Sequence, residues 1–326
     1  MFFSVVIATR NRSDVFQNAL QSVLVQTEPD IEVLVVNDGS DAEQQKRYDA
    51  IISADASGRV RSFRLPARHG GHGPSYVRKF GAAEAQAPYL CFLDDDDCWT
   101  DPNHLRRTKA VLAESSAPVD LCLANQTAFR QDREQPGPIW LEDLPAILTG
   151  LGNLPDPQGA YTVTVDALLR SSGFCHLNTL IVRLALYREI GGLDERLGWE
   201  EDRDLYLRLI DAAKVIKYVP MTVARHNVPE ARTSVTTGYS EFERRLSQLR
   251  LLDRAMLNSH NAAIRAYGRQ HKVYTLKRIA EALYAAGRNI DGQFYAREAL
   301  GAGPTMKWAA YTAWRWLHSL LGRSKP

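Results

Sequence analysis

The sequence predicts an open, mostly parallel α/β sheet covered by helices, followed by an all-helical appendage. Three observations carry that expectation. The first hundred residues alternate between short apolar runs of the buried-strand kind and apolar residues recurring at helical spacing. Polar turn clusters follow the strand runs. After about Gly238 the pattern is almost entirely helical, dominated by Leu, Ala, Arg and Tyr. At 326 residues, 45% hydrophobic and 24% charged, the chain has ordinary globular composition. That is enough apolar material for a sizeable core, which excludes disorder for most of its length.

Taken in order, Phe2–Ala8 reads as a buried strand. Val15, Phe16, Ala19, Leu20, Val23 and Leu24 then recur at helical spacing, with Ser13 placed to cap the helix. Ile31–Val36 reads as a second strand, stopped by Asn37-Asp38-Gly39-Ser40. Arg59–Arg64 is a third, followed by the glycine-rich His69-Gly70-Gly71-His72-Gly73. Pro74 suits the first position of a helix reaching about Ala85, because its missing N–H would be unpaired there anyway. Tyr89–Leu93 is a fourth strand and runs straight into Asp94-Asp95-Asp96-Asp97. Sheets built in this alternating order bind ligands beyond the carboxyl ends of their strands. Thr9-Arg10-Asn11, Asn37-Asp38-Gly39 and Asp94–Asp97 all follow strands, so one mouth is expected to gather all three.

Residues 130–160, rich in Pro and Gly, read as a loop-rich insertion near that mouth. A second α/β stretch runs from about Cys175 to Val219. In the tail, Ala280, Leu283, Tyr284, Gly287, Arg288, Ala296, Ala299 and Leu300 resemble one tetratricopeptide-type hairpin. A single unit cannot form a solenoid, since stacking needs about three. The expected domains are therefore 1–237 and a helical 238–326.

Lys and Arg number 40 and Asp and Glu 38, a formal +2. Such a balance offers no global field for nucleic acid, and none is expected as a partner. Cys91, Cys98, Cys122 and Cys175 have neither zinc-ligand spacing nor the density of a disulfide scaffold. A reducing, cytoplasmic setting is the expectation. The start MFFSVVIATRNR lacks the parts of a signal peptide. No window offers about 18 uncharged apolar residues to span a membrane.

Four consecutive aspartates at a strand end repel one another and raise each other's pKa, and a divalent cation is the common remedy. Hard oxygen ligands suit Mg²⁺ or Mn²⁺, which keep waters and bridge to substrate phosphates. A solvated acidic turn is the plain alternative. Glu200, Glu201, Asp202 and Asp204 have the same two readings, a site or the acidic first turn of a helix ending near Asp211.

Ser4-Val5-Val6-Ile7-Ala8-Thr9-Arg10-Asn11-Arg12, Val35-Val36-Asn37-Asp38-Gly39-Ser40 and Phe92-Leu93-Asp94-Asp95-Asp96-Asp97-Cys98-Trp99 resemble the family 2 glycosyltransferases. So does the later stretch from Gly191-Gly192-Leu193-Asp194-Glu195 to Trp199-Glu200-Glu201-Asp202-Arg203-Asp204-Leu205. The four pieces stand in the family's order and cover roughly residues 2 to 235. The resemblance implies the GT-A fold, an open mixed Rossmann-like sheet flanked by helices, with the helical appendage outside it. It also implies a nucleotide-sugar site in which Asp38 contacts the nucleoside and Thr9 and Arg10 line the pocket. Arg78 matches an arginine of the family's Ala-Arg-Asn segment, although its neighbours differ. The Asp-x-Asp motif falls on Asp94 and Asp96, with Asp95 alongside on the donor. Asp96 or the adjacent Asp97 would bind Mn²⁺ or Mg²⁺, the register of four aspartates being ambiguous.

The family's Glu-Asp pair falls on Glu201-Asp202, with Asp202 as the base. Chemistry alone does not separate the two, since adjacent helical residues face different ways. An inverting transfer needs a carboxylate to take the acceptor hydroxyl's proton. The departing diphosphate is neutralised by metal, so no acid is required on its side. His226 occupies a region where some relatives place a histidine on metal or diphosphate, beside Arg225 and upstream of Arg232-Thr233-Ser234. It reads equally as a structural histidine. Trp199 suits an acceptor sugar's face or plain core packing.

The expected activity is transfer from a UDP-sugar to a glycan or lipid-linked acceptor in cell-surface polysaccharide or glycoconjugate synthesis. A catalytically silent sugar-nucleotide- or glycan-binding scaffold is the alternative. A nucleotidyltransferase is a further one, though Ala8-Thr9-Arg10-Asn11-Arg12 lacks its glycine-rich phosphate loop. Pro304–Pro326 carries Trp308, Trp314, Trp316, Leu317, Leu320 and Leu321 with Lys307, Arg315, Arg323 and Lys325. Such a helix either packs on its neighbours or lies peripherally on the inner face of the cell membrane.

Overall fold

The apolar runs of the first hundred residues become strands β1 (Phe3–Thr9), β2 (Ile31–Asn37), β3 (Val60–Arg64) and β4 (Tyr89–Asp94) of a computed structural model. That structure describes residues 1–137, 139–228 and 239–321, the last three of them by backbone alone. Between the strands run α1 (Ser13–Leu24), α2 (Ala42–Ser53) and α3 (Pro74–Glu84). β3, β2, β1 and β4 pair in parallel, in that order. Alternate residues face opposite sides, and both sides are covered. Val5, Ile7, Val33, Val35, Cys91 and Leu93 pack with Phe16, Ala19, Leu20 and Val23 of α1. Val36 packs with Leu65, just after β3, and with Val77 of α3. Coverage on both sides is why β1, β2 and β4 read as continuous apolar runs, whereas the edge strand β3 mixes apolar with polar residues and stays partly exposed.

Then follow β5 (Cys98–Trp99), α4 (His104–Glu114), β6 (Leu121–Arg130), β7 (Arg133–Glu134), α5 (Leu144–Gly150), β8 (Tyr161–Thr162), α6 (Val165–Arg170), β9 (Leu180–Arg183), α7 (Leu184–Glu189), α8 (Glu201–Ala212) and β10 (Ile216–Asn227). The sheet continues from β4 through β9, β6, β10 and β5. β9 is antiparallel to both β4 and β6, and β5 is antiparallel to β10. The sheet is therefore mixed: its long ladders are parallel, as the periodicity suggests, and short antiparallel strands are added to them. The antiparallel additions are two to four residues long, too short to show a period. The 130–160 stretch likewise is not all loop, because Leu144 and Leu148 bury one face of α5.

Two sequence details resolve at α1 and β2. Ser13 does not cap α1; Arg12 holds the cap position, and the Ser13 N–H donates to Gln44 Oε1 at 3.0 Å. Gly39, after β2, has φ +62°, and a Cβ there would sit 2.7 Å from both Ala67 Cα and Pro66 O. Gly39→Ala is expected to cost about 1–3 kcal/mol of stability, read from urea titration.

The chain divides into two compact units, Met1–Glu230 and Ala231–Pro326. The 237/238 boundary and Arg232-Thr233-Ser234 lie outside the described residues, as do Arg323 and Lys325. The second unit contains α9 (Glu241–Asn258), α10 (Ala262–Ala285), α11 (Asn289–Ala302) and α12 (Met306–Leu321). Ser240 and Glu243 form a reciprocal capping box that starts α9. Gly287, at φ +75°, makes the turn between α10 and α11. Ala280, Tyr284, Ala296 and Ala299 close the hairpin around Leu276 and Trp308.

Candidate active site

β1, β2 and β4 end side by side, with Thr9 opposite Asn37 and Ala8 opposite Asp94. The polar residues that follow them therefore leave the sheet at one edge. Asn11, at φ +53°, turns the chain back, and its Oδ1 accepts from Asp41 N at 3.0 Å. That turn aims Arg12 at the acidic run. Its Nη1 donates to Asp96 Oδ2 at 2.8 Å and its Nη2 lies 2.5 Å from Asp95 Oδ1.

The four aspartates have four environments. Asp94 is paired with Arg78 of α3 at 2.5 Å. Burial opposes its charge, but Arg78 and then His176 hold it well below the usual carboxylate range. Asp95 is buried and accepts from Thr9 Oγ1 at 2.6 Å. Burial pushes it up to about 7, against the pull of Arg12. Asp96 keeps a quarter of its side chain exposed (26%). Its pKa is raised by burial and, against Arg12, by its neighbours Asp97 and Asp94. Asp97 is buried, and both oxygens are held by protein donors. Oδ1 accepts from Asn227 N at 2.7 Å, and Oδ2 accepts from Asn178 Nδ2 at 2.6 Å and lies 2.7 Å from His226 Nδ1. Burial on its own would lower the His226 pKa, but the bond to Asp97 and the surrounding aspartates carry it up to about 9.

The Glu-Asp pair begins α8. Glu200 precedes it at φ +65°, a left-handed turn that brings both carboxylates to the acidic run. Glu201 Oε1 accepts from Arg78 Nη1 at 3.3 Å, so one buried guanidinium joins Asp94 to Glu201. Burial opposes the Arg78 charge, yet Asp94 and Glu201 raise its pKa above the ordinary value. Asp202 Oδ1 accepts from Arg203 N at 2.7 Å. Its Oδ2 stands 3.7 Å from His176 Nε2, which is also 3.9 Å from Asp94 Oδ2. His176 thus lies between the two acidic clusters, with Trp140 and His226 rings 5.0 and 5.2 Å from its own. Burial lowers its pKa despite those carboxylates.

Glu201 makes stability depend on pH. Burial first, then Asp202, push its pKa from 4.5 up to about 7, against Arg78. The folded state therefore holds the proton more tightly than the unfolded chain. This group's contribution falls as pH rises from about 4.5 to about 7 and then levels off. Urea titrations across that window are expected to show a flatter pH profile for Glu201→Gln than for the parent.

A second cluster surrounds Asp38, which is buried. Its oxygens accept from His72 N at 2.9 Å, and Oδ1 lies 2.6 Å from His72 Nδ1. His72 in turn stacks on Tyr76 with centroids 5.1 Å apart. Arg10 reaches the same loop, donating to Arg68 O at 3.2 Å. Asp38 and Arg10 therefore organise the glycine-rich loop, while Thr9 turns to Asp95. Trp199 is half-buried just before the Glu-Asp pair. A cavity of about 380 Å³ opens beside the acidic run, lined in part by Asn18, Asp96, Cys98, Arg225 and Asn227.

Arg12, His176 and Asn178 are site residues that sequence reasoning did not single out. Arg12 sits inside a noted motif, but only the Asn11 turn tells it from Arg10. His176 and Asn178 have no local signal, since their partners are about 80 residues upstream or about 25 downstream. Of the candidate ligands for a hard divalent cation, Asp96 fits, being an oxygen ligand with one side-chain partner, partial exposure and excess negative charge around it. Asp97 does not, because its oxygens are taken, and His226 offers only Nε2. Among the described residues no group of three or more His, Cys, Asp and Glu side chains is arranged to hold a metal ion. Mg²⁺ and Mn²⁺ sites that use one or two carboxylates complete their shell with water and substrate phosphate.

Residues 4–155 match the family model for glycosyl transferase family 2. An uncharacterized glycosyltransferase of Nostoc sp. is 30% identical over 158 residues, which cover 47% of this chain and 47% of that protein. One of Rickettsia felis is 34% identical over 94 residues, 29% of this chain and 14% of that protein. The chain thus spans half or less of the length of these relatives. Among solved structures, S. aureus TarS 1-349 in complex with UDP-GlcNAc superposes with TM-score 0.66 at 18% identity, over 93% of this chain and 82% of that one. The mannosyltransferase PcManGT from Pyrobaculum calidifontis, in complex with GDP-Man and Mn²⁺, gives 0.57 at 13%, over 96% and 83%. These neighbours and the sheet order show the GT-A fold.

Proposed function

We propose that this chain is a metal-dependent, inverting glycosyltransferase that moves a sugar from a nucleotide diphosphate to a hydroxyl of a glycan or lipid-linked glycan. The observation that carries the reading is the joining of two acidic clusters at one strand edge through Arg78 and His176. One cluster suits a diphosphate and its cation, the other a proton. The fold neighbours bound to UDP-GlcNAc and to GDP-Man with Mn²⁺ support the donor class. A UDP-sugar is the donor we favour, with cell-surface glycan synthesis on the cytoplasmic side as the setting. No described helix is long and apolar enough to cross a membrane.

In this reading Asp38, Thr9 and Arg10 form the nucleoside end of the pocket, and Asp94 and Asp95 lie along the donor. Asp96 would hold Mn²⁺ or Mg²⁺, which when bound offsets the charge growing on the diphosphate. Asp202 Oδ2 takes the acceptor hydroxyl's proton as that oxygen bonds to the anomeric carbon. The bond from that carbon to the diphosphate oxygen breaks on the opposite face, and its electron pair leaves with the diphosphate. Arg78 fixes the donor cluster relative to the acidic pair, so the attacking oxygen is held in line. His176 keeps the Asp202 carboxylate turned toward Asp94. Trp199 supplies a flat apolar face for the acceptor sugar.

Thermal melting with UDP, GDP, TDP or CMP, each with and without Mn²⁺, tests the donor half. At 100 times its dissociation constant a ligand stabilises the native state by about 2.7 kcal/mol. One diphosphate with metal is expected to raise the melting temperature, and Asp96→Ala is expected to remove the metal-dependent part. No shift with any nucleotide at millimolar concentration would instead favour a silent scaffold.

A further inference from the structure

The near-neutral total conceals two oppositely charged halves. Residues 231–326 hold 16 Lys and Arg against 6 Asp and Glu, a formal +10. Residues 1–230 hold 24 against 32, a formal −8. No acidic residue follows Glu298, whereas Lys307, Arg315, Arg323 and Lys325 do. The helical unit therefore has a strong positive field, which the whole-chain charge does not reveal.

α12 adds a second, independent feature. At 100° per residue its inward face is Trp308, Tyr311, Thr312 and Arg315. Trp308 Nε1 donates to Ala296 O at 3.0 Å, and the Arg315 guanidinium lies 3.8 Å over the Tyr284 ring. The opposite face holds Met306, Ala310, Ala313 and Leu317, flanked by Trp314 and Trp316. Met306 is 92% exposed, Leu317 51% and Trp314 50%. Not one charged side chain interrupts this outward arc. A helix packed on one side normally turns polar residues to water on the other. Here the outward side is apolar and edged by tryptophan, the residue that sits best between water and acyl chains.

We propose that α12 lays this outward face into an anionic lipid surface, drawn there by the positive charge of the helical unit. A nucleic acid would use that charge but leave the apolar arc in water, whereas lipid headgroups and acyl chains satisfy both. Near an anionic leaflet each Lys or Arg strengthens binding roughly fivefold, and salt weakens that part. The inference rests on the helical unit alone and stands whether or not the chain transfers sugar.

The test is sedimentation of the full chain with vesicles of phosphatidylcholine alone, or of phosphatidylcholine with phosphatidylglycerol, at low and raised salt. Pelleting with the anionic vesicles only, weakened by salt, is the expected result. Trp314→Glu with Leu317→Glu is expected to lower partitioning by about tenfold or more, the scale of withdrawing large apolar side chains from the interface. Its melting temperature should match the parent's, and Ala313→Glu provides a second, milder variant at the same face. Absence of pelleting with either vesicle, or pelleting unchanged by these substitutions, overturns the proposal. So does a concentration-dependent dimer that the variants abolish while vesicles bind nothing, or binding to a duplex DNA probe in place of vesicles.

Discussion

Replacing Asp202 with Asn is expected to lower the rate of sugar transfer by about 10²–10⁴-fold, the span typical of a lost general base. Nucleotide-dependent thermal stabilisation should survive, because the Asp202 carboxylate lies with the acidic pair and not in the Asp38 or Asp96 clusters. The substitution keeps shape and the bond from Arg203 N but removes the site that accepts a proton. Glu201→Gln is the comparison. Its carboxylate is turned to Arg78, whereas Asp202 Oδ2 stands 3.7 Å from the His176 ring nitrogen, beyond hydrogen-bond reach. A larger loss in Glu201→Gln than in Asp202→Asn, read as kcat on the same donor and acceptor, would reverse the assignment.

Arg78→Met is expected to destabilise the N-terminal unit by about 3–5 kcal/mol, the range for removing one partner of a buried ion pair. The side chain is only 12% exposed and serves two carboxylates, Asp94 at 2.5 Å and Glu201 at 3.3 Å. Without it, Asp94 loses the largest influence that keeps it ionised against burial, and the two acidic clusters lose the guanidinium that joins them. Lys in its place reaches one carboxylate at a time and should recover part of the loss. Adding Asp94→Asn to Arg78→Met should restore stability relative to the single variant, since the uncompensated charge is then gone. Urea titration of the three variants decides this. A loss below about 1 kcal/mol would show that water reaches the pair and screens it.

Much of the fold is legible in the amino-acid pattern. β1 to β4 and α3 fall within a residue or two of the expected bounds and of Pro74; for β1, β2 and β4 this is because both sheet faces are buried and the side chains record that. The hairpin of α10 and α11 is equally visible in Ala280, Tyr284, Gly287 and Ala296, whose spacing is local. The antiparallel strands β5, β7, β8 and β9 are not, since two to four residues establish no period and their pairing depends on distant partners.

The site divides along the same line. Asp38, Asp94 to Asp97 and the Glu201-Asp202 pair announce themselves in sequence, as carboxylates concentrated at strand and helix ends. Their individual roles do not, because a carboxylate's role depends on what surrounds it. Only folding gives Asp97 to Asn178, His226 and Asn227, leaves Asp96 partly open, and sets Arg78 and His176 between the two clusters. Sequence by itself marked the polar clusters that follow the strands, since strand period and turn chemistry act over a few neighbours. Tertiary structure decided which of them are neutralised and which remain available, because Coulomb forces and burial act across space, between residues 16 to 130 positions apart in the chain.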